Sequence, residues 1–290
     1  MGADGHAGPG EGVTMADRES GAQRPSRHAT RFLPRGLEIL HEDSEILVVQ
    51  KPSGLLTVGT DRERSRTAYF ALTDYVRKGA VKSRNRIFVV HRLDRDTSGI
   101  LVFAKTVAAK FFLQRRWDDT TKRYLAVVCG RCEKRSETIT SYLAENRTHG
   151  IYSTSDPREG KLSHTTYTVL KTTKDLTLLD VQLVTGRKHQ IRVHLADRGH
   201  PVVGDTRYGE AKQAQRRLAL HARRLSFPHP ASGERLTFEA KAPGYFRELV
   251  GNFDHLIPRE AADPAASRGN LTRPPADRPR GRPGRRPASA

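Results

Sequence analysis

Cysteine is nearly absent from this chain: Cys129 and Cys132 are the only two in 290 residues, beside two methionines and one tryptophan. Two thiols build no disulfide framework and suit a reducing compartment. Their Cys-x-x-Cys spacing offers two ligands where a structural zinc needs four, and no second pair exists. Long hydrophobic runs are also missing. None approaches the roughly 20 residues needed to span a membrane, and the N-terminus has no apolar signal core. The expectation is a soluble, cytoplasmic protein. Nor is there a Gly-x-x-x-x-Gly-Lys phosphate loop, a dinucleotide fingerprint or a His/Cys/Asp/Glu cluster at metal-ligand spacing, so neither cofactor nor metal is expected. Acidic residues are the last scarcity, 32 against 51 Lys and Arg, for a net charge of +19. That excess favours a polyanionic partner.

The charge is not a tail effect. Residues 1–36 carry +1 and residues 258–290 carry +5, which leaves +13 on the middle of the chain. Hydrophobic residues make up 36%, less than a wholly globular chain uses, so part of the sequence should lie outside any core. Residues 1–36, rich in Gly, Ala, Arg and Ser, and residues 258–290, with seven prolines and eight arginines, are the disordered candidates. The folded domain is expected between Leu37 and Ile257.

Within it, Ile46–Lys51 reads as a strand that ends at Pro52 and turns at Ser53-Gly54. Thr67–Arg77 reads as a helix with Tyr69, Leu72, Tyr75 and Val76 on one face. Ile87–Val90 and Ile100–Phe103 have the length and β-branched content of buried strands. Thr106 should cap a helix over Val107–Trp117, with Phe111, Phe112 and Leu113 facing the core. Lys122–Cys129 reads as a strand with Tyr124, Ala126 and Val128 on one face. Residues 133–165 are polar and look like hairpins and surface loops. Leu176–Val184 is another strand, and Thr185 should cap a helix over Arg187–Arg198 stopped by Gly199. Strands in 218–230 and 236–243 close the chain around a Ser232-Gly233 turn.

Between the two central strands lies His91-Arg-Leu-Asp-Arg-Asp-Thr-Ser-Gly99. A plain connection between core strands needs a turn residue or two, whereas this one holds two carboxylates, two arginines and a histidine. Loops held by rigid strands are where chemistry tends to be placed. Asp94, between Arg92 and Arg95, suits a carboxylate that must act as an anion. Asp96, in Asp-x-Thr-Ser-Gly, better suits a turn whose side chain bonds backbone N–H groups. A second concentration of polar residues is Gly186-Arg-Lys-His-Gln-Ile-Arg-Val-His194, in which Ile191 and Leu195 should face the core and Arg192 could point back toward the loop.

His91-Arg-Leu-Asp94 with Asp96-Thr-Ser-Gly99 closely resembles the signature of the RluA-type pseudouridine synthases, which isomerise uridine to pseudouridine within RNA. The likeness runs from about Leu37 to Leu256 and takes in the Val-Val-x-Lys-Pro-x-Gly pattern at 48–54, Lys122-Arg-Tyr-Leu125, Gly186-Arg-x-His-Gln-Ile-Arg192 and Leu220-His-Ala222. It implies an α+β fold on a mixed, largely antiparallel sheet, in a short form without the small N-terminal RNA-binding (S4-like) domain of larger members. It also implies Asp94 as the essential carboxylate, Tyr124 against the target base, Arg192 holding Asp94, and Leu220 at the floor of the site. His91, Arg92, Arg95, Arg187, Lys188 and Gln190 are the remaining candidates for substrate contact. The expected partner is RNA, ribosomal or transfer, met by a monomer without metal or cofactor. The alternative is a non-catalytic RNA-binding or ribosome-assembly protein on the same fold.

Overall fold

A computed structural model describes residues 33–258 except 60–62, 64, 79, 81 and 210–216, so the two expected tails fall almost wholly outside the described residues. Leu33 already packs against the core, a little before the expected start of order. The strands are β1 (Glu38–Glu42), β2 (Ile46–Lys51), β3 (Phe88–Val89), β4 (Ser98–Ala104), β5 (Thr121–Cys129), β6 (Ser136–Glu145), β7 (Ile151–Thr154), β8 (Lys161–Thr172), β9 (Leu176–Leu183), β10 (Leu220–Pro228) and β11 (Arg235–Glu239). Four helices accompany them: α1 (Ala68–Arg77), α2 (Val107–Arg115), α3 (Gln190–Asp197) and α4 (Tyr245–Val250).

One sheet takes all the described strands, in the order β1-β2-β4-β10-β5-β9-β8-β6-β7, with β11 paired to β10 and β3 to β4. Every pairing is antiparallel except β4 with β10. The fold is therefore α+β, on a mixed and largely antiparallel sheet. Strands β4 and β10 are buried along their whole length, β4 as the apolar run Ile100–Ala104 and β10 with His221, Arg223, Arg224 and Ser226 buried among its apolar residues. Their parallel contact sets Ser98 beside His221 and Gly99 beside Ala222. Only glycine permits that approach: at φ 117° a Cβ on Gly99 would sit 2.2 Å from the Ala222 carbonyl oxygen. The polar loop before β4 is thus anchored at the middle of the sheet.

Several expectations need correcting. Helix α2 ends at Arg115, and Trp117–Asp119 forms a separate 3-10 turn. Thr106 does cap α2, accepting from Ala109 N, but Phe111 is 51% exposed and the buried face is Ala109 and Leu113. In residues 133–165 the expected hairpin is present, β6 with β7, but the rest is sheet rather than surface loop: β6 also pairs with the 12-residue β8, which starts at Lys161. The buried face of β8 runs Ser163, Thr165, Tyr167, so its period-2 pattern is written partly in hydroxyls and escapes a hydrophobic reading.

Candidate active site

The loop before β4 is pinned through its backbone. Lys51, at the end of β2, is fully buried, and its ammonium donates to the carbonyls of Pro52 (2.9 Å), Leu55 (2.7 Å) and Arg95 (2.9 Å). Burial pushes the amine down to about 7, against the pull of Asp96 and Asp94. Gly54 N also donates to Arg95 O, and Thr57 Oγ1 donates to Leu93 O while accepting from Leu93 N. Asp94 is therefore held on both sides by fixed neighbours. Asp96 is exposed, and the turn uses its backbone: Ser53 Oγ donates to Asp96 O at 2.8 Å. Its carboxylate makes no hydrogen bond to a described residue, unlike the side-chain-capped turn expected.

Helix α3 supplies the other wall. It does not start at Arg187 under a Thr185 cap; it starts at Gln190, after His189 in a left-handed conformation (φ 54°). Thr185 Oγ1 instead donates to Gln190 Oε1 at 2.9 Å. Arg192 lies one turn in and donates from Nη1 to Asp94 Oδ2 at 3.1 Å, which joins the two sequence motifs. On its other edge Arg192 meets Asp205 with Nε (2.7 Å) and Nη2 (2.8 Å). Burial works against the Arg192 charge, but Asp205 and Asp94 outweigh it and raise its pKa. Burial likewise opposes the Asp205 charge, and Arg192 with the N–H groups of Tyr208 and Arg207 lowers its pKa nonetheless.

These groups border one cleft with Tyr124, Leu220, Arg92, Arg187 and His189. Tyr124 on β5 and Ala222 on β10 are register partners, and Leu220 faces Ala126, so the floor is made by neighbouring strands. Burial, then Asp94, raises the Tyr124 pKa, which keeps the phenol protonated at neutral pH. The exposed guanidinium groups of Arg92 and Arg187 make no hydrogen bond or ion pair with a described residue. They are free to meet phosphate or base.

Other candidates go elsewhere. His91 Nε2 accepts from Val102 N at 3.1 Å and its ring lies 4.5 Å from Trp117, on the sheet side of the loop; burial and Lys122 push its pKa down to about 3. Arg95 is bound by both oxygens of Glu63, and Lys188 by Glu145 at 2.7 Å. Gln190 touches the cleft but is buried and saturated: its Oε1 accepts from Thr185 and Arg187, and its Nε2 donates to His164 O and Thr165. It builds the turn into α3. Reading the sequence missed Lys51, His189, Asp205 and Tyr208. A lysine closing an apolar strand and an aspartate after Val202-Val203-Gly204 were the available signals. Among the described residues no group of three His, Cys, Asp or Glu is arranged to hold a metal ion, and no helix is long and apolar enough to cross a membrane.

Comparison with known proteins gives the same direction. Residues 45–197 match the family model described as RNA pseudouridylate synthase. The chain is 34% identical over 224 residues to an uncharacterized RNA pseudouridine synthase, YjbO, of Bacillus subtilis, covering 77% of this chain and 78% of that one. It is 37% identical over 236 residues to the ribosomal large subunit pseudouridine synthase D of Nitrosomonas europaea, covering 77% and 66%. Human RNA pseudouridylate synthase domain containing 1 superposes with a TM-score of 0.58 at 27% identity, covering 71% of this chain and 83% of that one.

Proposed function

The chain belongs to the RNA pseudouridylate synthase family, isomerases that act on RNA, and on that premise we propose that Asp94 is the carboxylate that works on the target uridine. Isomerising uridine breaks the glycosidic C–N bond, turns the uracil and forms a C–C bond to the same sugar. No electrons or groups enter from outside. The site must supply an anion poised against ring or sugar and a pocket for a base taken out of its stack.

The observation that carries the proposal is the Arg192–Asp94 pair at the edge of a cleft floored by Tyr124 and Leu220. Arg192 fixes the carboxylate, Tyr124 offers a ring for the base, and Leu220 excludes water beneath it. Arg92 and Arg187 meet the flanking phosphates, the usual division between positioning and recognition. Ribosomal RNA is the substrate we favour, since relatives such as synthase D of Nitrosomonas europaea are named for the large ribosomal subunit. The folded body, about 37–257, carries most of the positive charge and would serve that substrate in the cytoplasm.

Asp94→Asn tests this directly in the purified full chain. Pseudouridine formed in incubated RNA should fall to background. RNA affinity should hold or rise slightly, because one negative charge leaves a basic cleft. Stability should change little, because Asp205 still pairs with Arg192. Activity near that of the parent chain would overturn the proposal.

A further inference from the structure

His189 occupies a position that a side chain adopts at a cost. Its φ of 54° places a non-glycine residue in the left-handed region, immediately before the helix that carries Arg192. Strain of this kind persists only where surrounding structure fixes it, and it concentrates at functional sites. Glycine would fit the backbone more easily, so the imidazole itself needs a reason.

The ring stands between Tyr208 and Asp94. Tyr208 OH accepts from Ile151 N at 3.2 Å and lies 2.8 Å from His189 Nδ1. Ile151 N takes one lone pair of the phenol oxygen, and among the described residues Nδ1 is the acceptor within reach of the phenol proton; with that proton placed there, Nδ1 accepts and the ring proton sits on Nε2. Burial lowers the pKa of His189 and favours the neutral ring; Asp94 pulls the other way, and Arg192, Lys188 and Arg207 add to the lowering. Nε2 faces Asp94 Oδ2 at 3.8 Å. This is the same oxygen that Arg192 Nη1 holds at 3.1 Å. Among the described residues, both close polar partners of the Asp94 carboxylate fall on Oδ2, and Oδ1 has no hydrogen bond.

We propose that His189 is a second positioning residue for Asp94: with its proton fixed on Nε2 by Tyr208, it closes on Oδ2 beside Arg192 and presents Oδ1 to the substrate. This inference rests on Asp94 being the working carboxylate. The gap of 3.8 Å exceeds a hydrogen bond and closes when a nucleotide fills the cleft and excludes water.

Three measurements on the full chain decide it. In the unmodified protein, ring nitrogen NMR should show His189 protonated on Nε2; in Tyr208→Phe that preference should be lost. His189→Asn tolerates the left-handed backbone, so its melting temperature should hold or rise. Its kcat should nevertheless fall about 10- to 100-fold, the scale set by misplacing a reacting group by about an ångström, with KM for RNA unchanged. His189→Gln, which keeps an N–H within reach of Asp94, should recover part of the loss. A proton found on Nδ1, an unchanged kcat in His189→Asn, or a loss confined to KM would each overturn the inference. Asp94→Asn run in parallel separates the two ideas. If it is inactive while His189→Asn is not, only His189 is misassigned; if it stays active, the reading of Asp94 has failed.

Discussion

Arg192 holds two carboxylates at once, and they do different work. Asp94 is 26% exposed and stands at the cleft, whereas the Asp205 side chain is fully buried and meets Arg192 with two parallel bonds. Asp205 therefore carries the structural half of the pair. Asp205→Asn leaves Arg192 with the partly exposed Asp94 alone, so the loss approaches that of breaking a buried ion pair, about 3–5 kcal/mol. Asp205→Asn should show a loss of that size in denaturant unfolding, and pseudouridine formation should fall because Arg192 is no longer aimed. Asp94→Asn should show almost none of the stability loss. Equal losses in the two variants would mean that Asp205 and Asp94 share the burden. The Asp94–Arg192 half was legible in the sequence, because both residues sit in dense motifs. Asp205 was not: it lies outside both motifs, after Val202-Val203-Gly204, and only the approach of α3 to the 202–205 turn brings Arg192 to it.

At the scale of elements, the loop that carries Asp94 takes its shape from backbone bonds. Lys51 ties three carbonyls from two segments, and its three N–H groups match them one to one. Lys51→Met keeps the length and apolar stem of the side chain but strands those acceptors. Unsatisfied buried polar groups cost about 1–3 kcal/mol each, so thermal unfolding should report a clear loss, and the residual activity at low temperature should drop because Arg95 and hence Asp94 shift. A variant as stable as the parent would show that water replaces the ammonium. Strands β2, β4, β5, β9 and β10 and helix α1 were readable from apolar period and caps. The start of α3 was misread because Thr185 looks like a cap, yet its hydroxyl is spent on Gln190. The strand β8 was missed because its inward face is half hydroxyl. In each case the deciding partner lies far away in sequence: Thr185 also accepts from His164 N, and Gln190 reaches Thr165.

Across the whole molecule, two fully buried histidines brace the two elements that meet in the cleft. His221 Nδ1 lies 2.8 Å from Ser98 Oγ, at the foot of the Asp94 loop. His194, on α3, bonds Thr165 Oγ1 (2.9 Å) and Ser141 Oγ (3.0 Å) beneath Arg192. Burial pushes both down to about 4 from an ordinary value of 6.5. The sign follows from proton counting. Below about pH 6.5 the unfolded chain binds protons at these positions that the folded chain refuses, and stability rises with pH wherever the unfolded state holds more protons. Their contribution is therefore complete above about 6.5 and is lost as pH falls through about 4. Asp205 and Asp43, both lowered from 3.8, add their own loss only below that value. Acid destabilisation should thus begin well above the range in which carboxylates titrate. Unfolding free energy measured from pH 8 to 4 should fall at first as Lys51 takes up its proton near 7, and continue to fall below about 6.5, where His91 adds to the two histidines. His194→Gln, which keeps polar contact with Ser141 and Thr165, should show a shallower decline over that interval. A stability curve that stays flat from about pH 6.5 down to 4.5 would mean that these rings take up protons without leaving their places, and that the sheet tolerates the charge.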